Sequence, residues 1–528
     1  VRIYPTEAVD TKEYVYNERL YSKNEKIQNL LITGGPLMTF KPRNFYKSFV
    51  GPGFSHTGTV YACSGNNLTL GLRRIIGKRV DEELLLGNQR RMENSELVTN
   101  FIDVIVSRTK RIVDDTPTDS IIKYAMAPHA KRKMRLNALK NLDELHAVAK
   151  YEKWCVEVLG KSKVYEFAKP GKRPRFIGDF GSEAALVGGY LVEHIKEAMT
   201  EPVTIGCFDI VFIKSPKLII LDEVFRTVHK NRRNIIYYHS DDVIGSIILN
   251  GVHHTFEMDI SSCDCSNQGP IFRSVDKLLR LPGYEHVADA FANYSNLGVK
   301  LKDPWKKEKT IHLKQQDNGV IEYSGTRLTT VLNNMAIVFI CAGIEIIKEE
   351  MEGLLSPQDI LLAGANLAGY EVTLLVDPPM ERLTFLKHNA CYGVDGEIWA
   401  VQNLGVILRA VGQCDNDFPG SGCVETRGNE FNSSVLLGCQ WMGDHVLHDA
   451  LKDCFFKRTP HVKPRWRNDY VDKTGRYAPR IDTYSLCRRY GVTISQMEEL
   501  CDYILHSEPG DLIRTRCSDL ILLIDYGL

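Results

Sequence analysis

Two acids at a turn and a third in the strand beyond it are the residues of this sequence best placed to do chemistry. Asp241 and Asp242 follow Ser240 between two β-rich runs, and Asn250-Gly251, the strongest short-range hairpin signal, closes the second run. Counting outward from Asn250-Gly251 as a two-residue loop sets Asp242 opposite Asp259; a one-residue bulge would set Asp241 there instead. In either register two carboxylates stand about 5 Å apart on one face of a sheet and repel. A divalent cation bound by carboxylate oxygens removes that repulsion, so Mg²⁺ is expected at this place, with Mn²⁺ as its substitute. An Asp-Asp turn by itself says little, because Asp is common in hairpin turns. Three acids brought together say more.

Asp264 lies five residues beyond Asp259, a D-x4-D expected at the end of the strand. Ser324-Gly325 then opens the pattern S-G-x3-T-x3-N through Thr329 and Asn333, which are four apart and share a helix face. A glycine loop entering such a helix can approach a sugar-phosphate backbone closely and present an amide to a hydroxyl. The bland reading makes Ser324-Gly325 a turn, Thr329 a packed side chain and Asn333 a cap, three coincidences at once.

The elements that must position these residues are legible in outline. Residues 204–260 are β-rich, with apolar runs at 205–213, 234–240, 242–249 and 253–261. A helix is expected over 326–352, and the apolar run at 335–347 inside it reads as a buried helix, too short to span a bilayer. Residues 135–159 have helical spacing, and Ser495 with Glu498 reads as a capping box in a late helix.

The 528 residues suggest two or three subdomains, and 44% hydrophobic with 25% charged residues is ordinary for a globular chain. Lys+Arg and Asp+Glu balance at 66 each, so any affinity for nucleic acid must come from local basic clusters, such as those at 129–135, 169–175, 230–234, 302–309 and 457–467. Each cluster alone could be solvated surface. Fourteen cysteines contain no C-x-x-C pair, and Cys263 and Cys265 would share a strand face; a reducing compartment without structural zinc is the expectation. The first residues lack the pattern of a secretory signal, and a start at Val1 without Met fits a piece of a polyprotein.

These residues resemble the palm motifs of viral RNA-dependent RNA polymerases: motif A at Asp259 and Asp264, motif B at Ser324, Gly325, Thr329 and Asn333, motif C at Ser240, Asp241 and Asp242. Their order, C-A-B, is similar to the permuted palm of permutotetravirus polymerases, typified by Thosea asigna virus, and more distantly to birnavirus polymerases, which carry Ala-Asp-Asn at motif C. A two-residue turn joining the motif C hairpin to the motif A strand keeps such a site intact. The stretch 361–375, where an unpermuted palm would carry its second acid pair, has no Asp. More loosely, Lys169, Lys172, Arg173 and Arg175 resemble motif F over the triphosphate, 369–374 looks like motif D and 383–393 like motif E, with Lys387 near the primer grip. The family's motif D lysine has no counterpart, since no Lys occurs between 349 and 386; Arg382 and Lys387 are the candidates for that general acid.

The resemblance implies an α+β right-hand polymerase. Residues 1–203 would form the N-terminal region and fingers, 204–264 the first part of an antiparallel palm, 265–320 a fingers insertion, 321–390 the second part of the palm, and 391–528 a mostly helical thumb. It implies nucleotidyl transfer from NTPs on an RNA template, with Asp259 and Asp241 ligating two Mg²⁺ and Asp242 assisting. Asp264 and Asn333 would share a hydrogen bond to the ribose 2′-hydroxyl. RNA template and product, NTPs and a protein primer are the implied partners, in the host-cell cytoplasm within a viral replication complex, and in the virion. A metal-dependent nuclease would use the same acids without needing S-G-x3-T-x3-N, and a non-enzymatic RNA-binding protein would keep the basic clusters without clustered acids. No P-loop pattern is present.

Overall fold

A computed structural model of the chain describes residues 82–113, 116–128, 132–140, 188–294, 322–411, 444–458, 479–508 and 511–526. It also describes shorter pieces at 15–16, 20–21, 40–42, 44–45, 52–54, 58–60, 77–78, 160–164, 176–179, 186, 299–302, 310–315, 413–414, 422–423, 425–430 and 436. The fold is mixed α+β. Its centre is a six-stranded sheet of β1 (Val203–Ile205), β2 (Phe208–Phe212), β3 (Ile235–His239), β4 (Asp242–Leu249), β5 (Val252–Ile260) and β6 (Val372–Val376), in the spatial order β6-β5-β4-β3-β2-β1. The apolar runs of 204–260 thus all become strands. The sheet is not wholly antiparallel as expected: β2 and β3 run parallel. The helix between them, Leu218–Lys230, is the crossover that a parallel pair requires.

Both faces of the sheet are covered. On one face Ile236, Tyr238, Val243, Phe256 and Met258 pack into the largest core with helices Glu96–Ile112, Gly189–Ala198 and Gly269–Leu279, and with α1 (Thr329–Met351). Alternation sends Ile235, Tyr237 and Ile244 to the other face. There they meet Leu221 and Phe225 of the crossover helix and the small sheet formed by Thr384–Phe385, His388–Tyr392 and Ile398–Gln402. Ile271 and Leu278, in the stretch expected as a fingers insertion, share the largest core with Ile260 of β5. Helices Val446–Arg458, Thr483–Tyr490, Ile494–His506 and Arg516–Tyr526 enclose a further core through Leu451, Leu486, Leu500 and Ile521.

Helix α1 runs 23 residues, longer than its apolar run, and is the one helix among the described residues long and apolar enough to cross a membrane. Its most apolar stretch is 83% buried inside the protein. It is a core helix, buried from Val331 to Glu345. Gly343 lies against the backbone of Gly364 on helix Pro357–Leu367, and a side chain at either position would collide with the facing helix. The late capping box falls on Thr493 and Gln496 rather than Ser495 and Glu498, so helix Ile494–His506 gains backbone bonding at its start.

Candidate active site

The hairpin register is the unbulged one: Leu249 pairs with Val252 and, at the far end, Asp242 with Asp259. Asn250 at φ 50 and Gly251 at φ 75 form the loop, both in the left-handed region that Asn and Gly tolerate. At the other end of β4, Ser240 and Asp241 make the two-residue loop between paired residues His239 and Asp242. Three acids therefore stand at one end of the sheet, two of them directly opposed, and the neighbouring strand places Thr373 beside Asp259.

Ser240 stands at φ 59, a region that disfavours side chains, and α1 holds it there. Its N–H donates to Asn334 Oδ1 at 3.0 Å and its Oγ accepts from Asn333 Nδ2 at 2.9 Å. Both asparagines are buried. Asn333 Oδ1 in turn accepts from Asn267 Nδ2 at 3.0 Å and from the Cys263 thiol at 3.2 Å. Asn267 Nδ2 also donates to Glu322 Oε2 at 2.6 Å, and Asn267 Oδ1 accepts from the Tyr370 hydroxyl at 2.7 Å. The segment bearing Asp264, the loop before α1, α1 itself and the approach to β6 thus close on the tip through one buried polar network. Such a network specifies a single geometry, because each unmade bond inside it is costly.

The electrostatics follow from this crowding. Burial, then the Asp241 and Asp259 carboxylates, push the Asp242 carboxyl up to about 7, against the opposing pull of Lys387. Burial, reinforced by Asp259, pushes Glu257 up to about 7, although the Thr384 N–H donates to it. Glu322 is raised well above the carboxylate range by burial, with Asp264 and Asp241 adding to the effect. Carboxyls in this state favour a proton or a cation. Asp241, Asp242 and Asp259 offer only carboxylate oxygens, hard donors that suit Mg²⁺ or Mn²⁺.

Asp264 does not end a strand. β5 stops at Ile260, Ser262 turns the chain at φ 53, and Asp264 sits half-buried in a helical turn, Cys263–Ser266. Cys263 and Cys265 are buried in that same turn, not on a strand face. Asn333, expected to meet a sugar, instead uses its carboxamide inside the protein on Ser240, Asn267 and Cys263. Gly325 at φ 101 makes the turn before α1, with Ser324 half-buried beside it. Thr329, the first residue of α1, closes that turn by donating to Tyr323 O at 3.4 Å and pairing with Thr326 at 3.2 Å. Lys387 and Leu386, at φ 60 and 52, form the turn between Phe385 and His388, and the Lys387 ammonium lies 5.2 Å from the Tyr526 ring. Lys169, Lys172, Arg173 and Arg175 lie outside the described residues.

Sequence reasoning missed Asn334, Asn267, Glu322, Tyr370 and Glu257. Glu257 had a signal: two residues before Asp259 in a strand, it must share its face. It also joins the site to the C-terminal helices. Thr384, which donates to it, accepts from Arg489 at 3.0 Å, and Arg489 forms a buried ion pair with Asp525 at 2.9 Å. No known family model matches the sequence, and no curated protein matches it.

Proposed function

We propose that the chain is an RNA-directed RNA polymerase with a permuted palm. The observation that supports this most is convergence. Three blocks separated in sequence, Ser240-Asp241-Asp242, Asp259 with Asp264, and the helix of the S-G-x3-T-x3-N pattern, meet through Asp242 opposite Asp259 and through Asn333 and Asn334 bonded to Ser240. A nuclease needs the acids but has no use for that helix.

In this reading the six-stranded sheet and α1 are the palm, the C-terminal helices the thumb, and the N-terminal residues the fingers. Asp241, Asp242 and Asp259 would hold two Mg²⁺, or Mn²⁺, which supply activation of the 3′-hydroxyl of the growing strand and neutralisation of the triphosphate. The chain's own part is positioning. The α1 asparagines fix the tip, so the carboxylates need no rearrangement when nucleotide arrives. Asp264, half-buried in the turn after β5, takes the role of sensing the sugar hydroxyl. Lys387 brings a positive charge toward Asp242 from the opposite hairpin and suits either the primer backbone or proton delivery to pyrophosphate. Lys169, Lys172, Arg173 and Arg175 would clamp the triphosphate. RNA, NTPs and a protein primer are the partners, and a replication complex in host cytoplasm or a virion is the setting.

Primer extension on an RNA template, with and without Mg²⁺, tests this. Template-directed, Mg²⁺-dependent incorporation that Asp259→Asn removes is the expected result. RNA cleavage in place of extension makes the protein a nuclease, and Mg²⁺-independent RNA binding without turnover makes it a packaging protein.

A further inference from the structure

Far in sequence from Asp241, Asp242 and Asp259, a buried imidazole nitrogen faces a buried carboxylate oxygen at 3.8 Å, and neither makes a hydrogen bond. His448 lies in the first turn of helix Val446–Arg458 and is fully buried. Its Nε2 is 2.7 Å from Leu436 O. A carbonyl only accepts, so Nε2 carries the hydrogen and Nδ1 of the neutral ring is left with its lone pair. Nδ1 lies 3.8 Å from Asp444 Oδ1, beyond hydrogen-bond reach. Both atoms are buried and neither has a hydrogen-bond partner. Two lone pairs facing each other in this way are an unfavourable arrangement unless a cation lies between them.

Asp449 completes a set in which one donor atom from each of Asp444, His448 and Asp449 lies within 4.8 Å of the others. Arg480 already engages the carboxylates, 2.7 Å from Asp449 Oδ2 and 3.5 Å from Asp444 Oδ2. It hydrogen-bonds Asp449 Oδ2, stands within ion-pair range of Asp444 Oδ2, and leaves Asp444 Oδ1 on the His448 side. The backbone fixes the frame: Asp444 N–H donates to Pro479 O at 3.0 Å, and Ile481 N–H donates to Asp444 O at 2.8 Å.

We propose that Asp444, His448 and Asp449 bind a divalent transition metal of the Zn²⁺ type, with a water in the fourth position. The donors suit that class: one imidazole and two carboxylates, with the second ring nitrogen held by a backbone carbonyl, the outer partner that orients metal-bound histidines. Bond lengths near 2.1 Å at a tetrahedral ion need donors about 3.4 Å apart, so the 3.8 Å pair has only a few tenths of an ångström to close. The ion would pin the start of helix Val446–Arg458 to Asp444, whose backbone bonds Pro479 and Ile481. Cysteine spacing could not have revealed this site, because it uses none.

The test uses the full chain carrying Asp259→Asn, which removes a palm ligand, stripped with a chelator, given Zn²⁺ and passed through gel filtration. One retained Zn²⁺ per chain is expected. His448→Gln should weaken Zn²⁺ binding by more than about 100-fold, beyond what loss of an outer partner alone produces. Co²⁺ in place of Zn²⁺ should give visible d–d absorption that His448→Gln abolishes. Should His448→Gln fold poorly, Asp449→Asn at the half-exposed ligand decides, by weaker Zn²⁺ retention and a shifted Co²⁺ spectrum. The proposal is overturned if no Zn²⁺ is retained, if retention is the same in all variants, or if NMR finds His448 protonated at both nitrogens in a metal-free ion pair with Asp444.

Discussion

Strand β4 ends in two turns of the same length, built in opposite ways. Each begins with a residue in the left-handed region, Ser240 at φ 59 and Asn250 at φ 50. Asn250-Gly251 reaches that geometry through its own chemistry, and its partners are exposed: Glu352 accepts from Asn250 N–H at 2.9 Å, and Arg232 donates to Gly251 O at 2.6 Å. Ser240-Asp241 has no such preference, and two buried asparagines from α1 hold it in place. The turn without carboxylates holds itself. The turn that carries them is held by the rest of the protein, so its geometry reports on tertiary structure more than on local sequence.

The largest expected effect separates the two ends outright. Asp259→Ala or Asp241→Ala should remove nucleotide incorporation, while substitutions at Asn250-Gly251 leave its rate unchanged. Because removing one carboxylate relieves repulsion, metal-free thermal stability of Asp259→Ala should hold or rise. Incorporation near the unmutated rate by either acid variant would remove the metal assignment.

Next in size come the asparagines. Losing the Asn333 or Asn334 side chain leaves a part-buried group at the tip unpaired, about 1–3 kcal/mol, or roughly 5- to 150-fold in rate if the whole loss falls on the transition state. Because Asn333 bonds inside the protein, Asn333→Ala should slow ribo- and deoxyribonucleotide alike, and Asp264→Ala should lower the ratio of their kcat/KM values. A ratio that falls in Asn333→Ala and stays in Asp264→Ala reverses the two roles.

This comparison also explains what the sequence made legible. The register of β4 and β5 could be counted because Asn250-Gly251 announces itself; counting left Asp242, or Asp241 with a bulge, opposite Asp259, and the strands pair in the first way. The strand assumed to continue to Asp264 ends early because Ser262 adopts φ 53, which nothing in a serine advertises. Asn267, Glu322 and Tyr370 could not be found by spacing. They meet Asn333 only after the sheet and α1 have packed, and no local period relates them. Asn334 stood next to a residue already singled out, yet its bond to Ser240 depends on where α1 crosses the sheet.

A pH series sharpens the contrast more gently. Asp242 is raised from 3.8 to about 7, and Glu257 from 4.5 to about 7, so between pH about 4 and about 7 the folded chain holds protons that the unfolded chain has released. Stability without metal should therefore fall as pH rises through that window, with no penalty below it and the full penalty above. Mg²⁺ should flatten the decline, and so should Asp242→Asn. Denaturation midpoints at about pH 5 and pH 8 check this, and a decline of equal size with and without Mg²⁺ would detach it from the carboxylate pair.

The smallest effects come from a pair of substitutions whose order is the informative quantity. Ser240→Gly removes the strain of a side chain at φ 59, about 1–3 kcal/mol, and strands the Asn333 N–H that its hydroxyl accepts, also about 1–3 kcal/mol. These nearly cancel, so stability should move by no more than about 1–2 kcal/mol and incorporation should persist. Ser240→Ala keeps the strain, loses the bond and strands the Asn333 N–H, about 1–3 kcal/mol of destabilisation, with slower incorporation. At the other turn, Gly251→Ala meets no neighbouring atom within 4 Å and suffers only from φ 75, about 1–2 kcal/mol, with no change in incorporation. Glycine should therefore be tolerated at Ser240 and alanine not, whereas alanine at Gly251 should lower stability and leave activity alone. Unfolding midpoints together with single-turnover incorporation rates for the three variants decide the matter. If Ser240→Ala matches Ser240→Gly in both, a side chain at φ 59 costs nothing there, and Ser240 needs no hold from α1 to adopt that turn.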